Sequence, residues 1–265
     1  KLIIGGRFDT YTNTQSYQDP TFNSDAEAQA FSPRLGIVYQ PTKDISLYAS
    51  YTQSFNPVSG RSETGTPFLP ERGTQYEIGI KADLFDGRLS TTLSAYDITK
   101  SNVLTADPNN PDFSIQIGEQ KGRGIDFDLV GKILPGWELI ASYAHTDARI
   151  SKDNSFPVGN RLNNTPQNTA SLFTSYRIQE GELKGLGFGA GIFYVDSRVG
   201  DLDNSFTLPS YTRVDAALYY EKENFTAAIN FKNLFNARYF DGAQDRLRVI
   251  PGAPFTVQAT VSWKF

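Results

Sequence analysis

Cysteine and methionine are both missing from the 265 residues, and histidine occurs once, at position 145. Without cysteine there is no disulfide framework and no thiolate metal site. A single imidazole cannot build a histidine-rich metal centre, so no resident metal or cofactor is expected. No stretch approaches the roughly 20 consecutive apolar residues that a membrane-spanning helix needs. Lys and Arg number 25 against 29 Asp and Glu, a net charge of -4, which leaves no basic footprint for nucleic acid. The charged stretch and apolar core of an export signal are also missing. Because the chain opens directly inside a strand pattern, the expectation is that such a signal lies upstream.

What the chain does have is aromatics (19 Phe, 14 Tyr, 2 Trp) and alternation. Twelve period-two segments can be read, at 1–12, 30–40, 45–55, 74–84, 88–101, 114–132, 137–149, 168–178, 185–196, 210–220, 224–233 and 254–265. Helical spacing is sustained nowhere. In the last segment Phe255, Val257, Ala259, Val261, Trp263 and Phe265 fall on one side, and Thr256, Gln258, Thr260, Ser262 and Lys264 on the other. Phe225, Ala227, Ile229 and Phe231 separate from Thr226, Asn230 and Lys232 in the same way, as do Tyr76, Ile78, Ile80, Ala82 and Leu84 from Glu77, Lys81 and Asp83. These apolar faces carry no charge, and the opposite faces are rich in Ser, Thr, Gln, Gly and Tyr.

That pattern suits a sheet with lipid on one side and a wet lumen on the other, since a Lys or Arg near the bilayer midplane would cost about 2–4 kcal/mol. Aromatics gather near segment ends, Tyr39, Trp137, Tyr220 and Trp263 at one level and Tyr51, Tyr76 and Tyr143 at the other, as interfacial belts would. The expected fold class is all-β: a transmembrane antiparallel up-and-down β-barrel with about 12 strands present. A soluble all-β protein is the alternative.

Links of two kinds alternate along the chain. Short turns fall at Pro41–Asp44, Asp86–Gly87, Leu134–Gly136, Gln179–Lys184 and Glu221–Asn224, and long polar loops at 13–29, 56–73, 102–113, 150–167, 197–209 and 234–253. Outer-membrane barrels have short periplasmic turns and long extracellular loops, which predicts that both termini lie on the periplasmic side of a bacterial outer membrane.

Seven stretches resemble one family. They are PRLGIVYQP from Pro33 with ISLYASYTQSFNP from Ile45, LPERGTQYEIGIKADLFDGRLS from Leu69, AYDITKSNVLTADP from Ala95, IGEQKGRGIDFD from Ile117, DLDNSFTLPSYTRVDAALYY from Asp201, KNLFNARYF from Lys232 and the terminal SWKF. In this order they resemble TonB-dependent siderophore receptors, with wording most similar to the ferric-hydroxamate type. The resemblance implies energised uptake of a ferric siderophore, a barrel of 22 strands, a plug that fills it and engages the TonB complex, and a terminal aromatic signal (Trp263, Phe265) read by the barrel-assembly machinery. Residues 1–265 would be the C-terminal part of the barrel domain, with the plug absent. A self-contained 12-stranded pore is a second reading. An outer-membrane hydrolase is a third, disfavoured because Asp147 stands where a serine two places after His145 would be needed and no G-x-S-x-G elbow occurs.

A siderophore already fills the coordination sphere of iron, so its receptor needs stacking surfaces and hydrogen bonds. Candidate ligand-binding residues are Tyr51, Phe55, Phe68, Phe113, Phe156, Phe206, Tyr211 and Phe240, with Arg61 and Arg72 for an anionic chelate; no catalytic or metal-binding residues are expected. Arg161 and Arg246 also lie in long loops, where arginines more often pair with acids such as Glu63 or Asp245. Asp201, Asp203 and Asn204 suit a side-chain-bonded turn better than a calcium loop. Arg213, Asp215, Lys232 and Lys264 are expected in cross-strand pairs or against the plug. Asp126 and Asp128 share an inward face, with Arg123 and Lys132 as expected partners, and His145 is expected at the upper rim.

Overall fold

The computed structural model describes residues 1–15, 24–110 and 112–265. Alternating side chains do build strands here: twelve of them form one antiparallel sheet. They are β1 (Leu2–Gln15), β2 (Ser24–Thr42), β3 (Ile45–Asn56), β4 (Glu71–Leu84), β5 (Leu89–Ala106), β6 (Ser114–Leu134), β7 (Trp137–Lys152), β8 (Asn168–Arg177), β9 (Leu186–Val195), β12 (Tyr211–Lys222), β13 (Phe225–Lys232) and β16 (Thr256–Trp263). Each pairs with the one before and the one after it in this order, so β1 and β16 are the two edges and the sheet is not closed. The self-contained pore would need these edges paired to each other, and they are not.

Two small hairpins lie outside the wall: β10 (Arg198–Val199) with β11 (Thr207–Leu208), and β14 (Phe240–Asp245) with β15 (Arg248–Pro251). Alternation does not announce them, because strands of two to six residues offer too short a period to read.

The register sorts the side chains into two faces. Leu47, Ile80, Leu93, Phe127 and Tyr143 are successive partners across β3 to β7, one apolar row of the wall. Leu172, Ile192, Leu218, Ile229 and Ala259 continue that face through β8, β9, β12, β13 and β16. Most of this face is exposed, with Ile78 at 63% and Val261 at 68%, so the apolar face is open rather than folded into a core. Two bands of rings border it. Tyr220 and Trp263 both lie against Phe225, at 6.2 and 5.8 Å, and Tyr176 meets Phe188 at 5.8 Å. At the other border Tyr51 and Tyr76 stand 5.2 Å apart.

The polar face is a web of short bonds. Tyr48 Oη donates to Glu77 Oε1 at 2.6 Å, and Gln75 Nε2 donates to Glu77 Oε2 at 2.7 Å. Gly79 makes this possible: a Cβ there would stand 2.6 Å from the Tyr48 ring, which lies across the bare backbone.

Several strands run beyond their expected ends. β1 reaches Gln15 and β2 begins at Ser24, so much of the loop expected at 13–29 is ladder, with 16–23 outside the described residues. β4 starts at Glu71, β5 runs to Ala106 and β7 to Lys152. The reason lies in the register: one row above His145 and Ile125, the apolar face changes to Asp97, Arg123 and Asp147, and the next row holds Thr74, Thr99, Lys121 and Arg149. Backbone pairing continues there, but neither face needs apolar groups, so the pattern that reveals a strand stops before the strand does.

Candidate functional site

Burial is concentrated at the long-loop end of the sheet. Arg198, Leu208, Asn233, Tyr239 and Ala243 are all at most 7% exposed, in a chain whose wall has few buried side chains. What covers them is a cap of loops tied together by side-chain amides. Asn164 Nδ2 donates to Ala243 O at 2.6 Å, and the Ala243 N–H returns a bond to Asn164 Oδ1 at 2.8 Å. Asn204 treats Arg161 in the same two-way fashion, at 2.9 Å in each direction. Asn160 Nδ2 donates to Leu202 O at 2.9 Å. Asn164 and Asn204 both have φ of 57°, a left-handed conformation that asparagine tolerates better than most residues. Each amide therefore acts as a one-residue strand, joining the 150–167 loop to the two that follow.

The chain of contacts extends to the earlier loops. Thr105 Oγ1 donates to Asp153 Oδ1 at 2.7 Å, and Asn154 Nδ2 donates to Ala106 O at 3.1 Å. Asn102 Nδ2 donates to Pro70 O at 3.0 Å, and Asn110 Nδ2 to Glu63 Oε1 at 3.0 Å. Loops that are far apart in sequence thus form one layer, held by bonds that no periodicity can display.

Asn164→Ala removes both bonds to buried Ala243 and leaves a backbone donor and acceptor unmet. The expected loss is about 2–4 kcal/mol, at roughly 1–2 for each of the two orphaned groups, the lower part of the usual range. Limited proteolysis should show it as faster cleavage within 240–251, while the twelve-stranded wall stays intact.

Under the cap, on the polar face, the Tyr211 and Tyr239 rings stack at 4.3 Å. Arg213 reaches Asp215 with Nε and Nη2, both at 3.1 Å, and its guanidinium lies 4.6 Å from the Phe193 ring centroid. Asn233 fastens the base of the following loop, donating to Ala237 O and Ala253 O and accepting from the Ala237 N–H at 2.8 Å.

Two acids at the cap's surface have depressed pKa values. Asp245 is held below the usual carboxylate range by the Arg248 side chain and by the amides of Leu247 and Arg248. For Asp201, burial pushes upward but is outweighed by the Ser205 hydroxyl and amide and by Arg246. A lowered folded pKa means stabilisation present above the unfolded value and lost as pH falls through the folded one. The protection of the Leu247 and Arg248 amides, taken relative to intrinsic exchange at each pH, should therefore fall on acidification below about pH 4, and Asp245→Asn should abolish that pH dependence.

Comparison with known proteins decides what such a wall and cap belong to. The family described as "TonB dependent receptor-like, beta-barrel" matches residues 1–234. This chain belongs to that family. It is 38% identical over 271 residues to the metal-pseudopaline receptor CntO of Pseudomonas aeruginosa, covering 98% of this chain and 38% of the receptor. It is 32% identical to the ferrichrome outer membrane transporter/phage receptor of Escherichia coli, covering all of this chain and 36% of that protein. Among solved structures, the siderophore receptor PiuA from Acinetobacter baumannii superposes with a TM-score of 0.83 at 26% identity, over the whole of this chain and 40% of that one. The chain thus spans well under half the length of the relatives it matches. As a wall of such a barrel, it turns its apolar face outward and its polar face to the lumen.

The candidate residues divide accordingly. Tyr51 and Phe55 share the parity of the apolar face of β3, where Tyr51 joins Tyr76 in the aromatic border. Arg72 shares that parity on β4. Tyr211, Phe206 and Phe240 belong to the cap: Tyr211 stacks on Tyr239, Phe206 lies 5.6 Å from the Arg246 guanidinium, and the Phe240 carbonyl is bonded by Arg198. Phe68 lies against Gly60, Phe156 donates its N–H to Asp153, and Phe113 bonds through its backbone to Asp107 and Asn110. Arg61 Nη1 donates to Gly65 O at 2.8 Å within its own loop. Trp263 and Phe265 are exposed, at 59% and 114%, at the short-turn end.

Several expected pairings are corrected. Arg246 bonds Ser205, and Arg248 takes Asp245 at 2.6 Å. Arg161 meets Asn204 through its backbone. Arg213 pairs with Asp215 along its own strand, because two residues on one strand share a face and the guanidinium can span them; Lys232 and Lys264 are exposed. Arg123 faces Asp147 and Lys132 faces Glu138, so neither joins Asp126 or Asp128. Asp201 and Asn204 do form a local turn, with Ser205 donating to Asp201. His145 Nδ1 lies 2.9 Å from Asn168 Oδ1 on the face that carries Tyr143. Sequence reasoning missed Arg198, Asn160, Asn164, Asn233 and Tyr239; the only signal for the last two was the KNLFNARYF stretch.

Proposed function

We propose that this chain forms the C-terminal barrel wall and outer loops of a bacterial outer-membrane receptor that takes up ferric siderophores with energy from TonB. The observation that carries the reading is the cap: long loops cross-braced by asparagines hold aromatic rings and guanidinium groups over the lumen mouth. Such preorganisation suits a bulky, coordinatively saturated chelate, whose capture costs least when the loops are already ordered. The identities to receptors named for ferrichrome, ferrioxamine B and metal-pseudopaline support the cargo class.

In this reading the chelate is cargo, and the protein holds no cofactor and performs no catalysis. The capped end faces the medium, and the short turns and both termini face the periplasm. A plug outside these residues fills the lumen and engages the TonB complex, lipid covers the apolar face, and the barrel-assembly machinery reads Trp263 and Phe265.

The test is iron uptake by the whole receptor carrying this barrel. It is expressed in a bacterium stripped of its own siderophore receptors and fed radiolabelled ferric hydroxamates, catecholates and mixed chelates. Uptake of one class that stops when TonB is deleted is the expected outcome. Uptake of none, or uptake indifferent to TonB, would overturn the reading.

A further inference from the structure

Arg198 is 3% exposed, yet among the described residues it makes no ion pair. Its Nη2 donates to two carbonyls of the β14–β15 hairpin, Phe240 O at 2.7 Å and Asp241 O at 3.1 Å. Its guanidinium carbon stands 5.8 Å from the Tyr211 ring centroid, and Tyr211 is stacked on Tyr239. Nη1 is buried and has no hydrogen-bond partner, the one such side-chain atom found among the described residues. Neutral carbonyls and a ring face offset only part of the cost of removing a guanidinium from water, and a buried cation is ordinarily matched by an anion. Arg213, also on the lumen side of β12, is so matched by Asp215. Arg198 is the exception, and it sits at the root of the cap.

We propose that Arg198 is an anion subsite of the cap, whose Nη1 receives a carboxylate oxygen of the chelate. This rests on the uptake reading and narrows it to metal chelates that carry a free carboxylate. A guanidinium with two donors already committed to the hairpin is fixed in orientation, so its remaining edge is directed at one place. The rings of Tyr211 and Tyr239 beside it supply an apolar wall for the chelate body. Nη1 is sealed in the closed cap, so a carboxylate reaches it only as the Phe240–Pro251 hairpin or the tyrosine pair moves aside. Occupation of the subsite is thereby coupled to the hairpin that Arg198 holds.

The test uses the whole purified receptor, the variant Arg198→Gln, and two forms of one linear ferric trihydroxamate, N-acetylated and N-succinylated, which differ by a carboxylate. Glutamine can still donate to the Phe240 or Asp241 carbonyl, so the cap keeps a tether while losing the charge; melting temperature checks that the variant is folded. The expected result is a loss of roughly ten- to a hundredfold in affinity for the succinylated chelate, with the acetylated one changed less than about twofold. In the wild type, only the succinylated form should slow amide exchange across 240–251. Equal losses for both chelates would make Arg198 a structural latch and overturn the subsite, as would no loss for either. A wild-type receptor that binds neither chelate, nor any other ferric siderophore, would overturn the uptake reading itself.

Discussion

Replacing Asn233 by alanine should be the most damaging single truncation in the cap, at about 3–5 kcal/mol for the loss of three hydrogen bonds in a sealed site. Asn233 is 1% exposed; it donates to Ala237 O and Ala253 O and accepts from the Ala237 N–H. Its own N–H donates to Asp215 Oδ1 at 2.9 Å, and Asp215 in turn holds Arg213. The residue also has φ of 53°, where an alanine Cβ is strained. One amide thus spans the 234–253 loop at its base, reaching from one end to the other. The expected readout is a lower midpoint of thermal unfolding together with early loss of protection in 237–253. A variant whose loop and midpoint match the wild type would show that these bonds contribute little.

The second large effect concerns the apolar face. Ile80 pairs with Leu47 and Leu93 in the middle of the apolar wall. Arginine there should cost about 2–4 kcal/mol, whereas near the interface the same change costs about 0–1. Thr74 is the matched control, since it shares the face of Ile80 but lies one row beyond Tyr76, level with Thr99, Lys121 and Arg149. Reversible folding of the receptor into phospholipid vesicles, followed by heat-modifiable gel migration, separates the two. Ile80→Arg should shift the denaturant midpoint strongly and Thr74→Arg hardly at all. Equal shifts would mean that hydrocarbon does not cover this face.

Other contacts are expected to matter less. The ion pairs of the outer wall, such as Arg149 with Asp147 at 2.7 Å, are water-facing, and pairs of that kind contribute little to stability.

How much of this was legible beforehand depends on which force holds each part. Phe225, Ala227, Ile229 and Phe231 declared their strand because one face of the wall carries an apolar group at every second position. Asn13 to Gln15 did not, although they continue the β1–β2 ladder, because backbone pairing is indifferent to side-chain type. Tyr51 was read as both a border residue and a ligand candidate, and it pairs with Tyr76 on the apolar face. Arg246 sits beside Asp245 in sequence, yet the tight turn gives that carboxylate to Arg248, and Arg246 crosses to Ser205.

The sequence by itself determined the all-β class, the twelve strands of the wall, their order and which face is apolar, since each follows from local alternation and from links of contrasting length. Only the tertiary structure decided that the sheet has two unpaired edges, that asparagines weld the outer loops into one layer, and that Arg198 lies buried without a carboxylate among the described residues. Those outcomes rest on contacts between residues some 40 to 80 positions apart, such as Asn164 with Ala243 at a separation of 79. The bonding groups involved, backbone carbonyls above all, are the same at every position and leave no mark on composition or period.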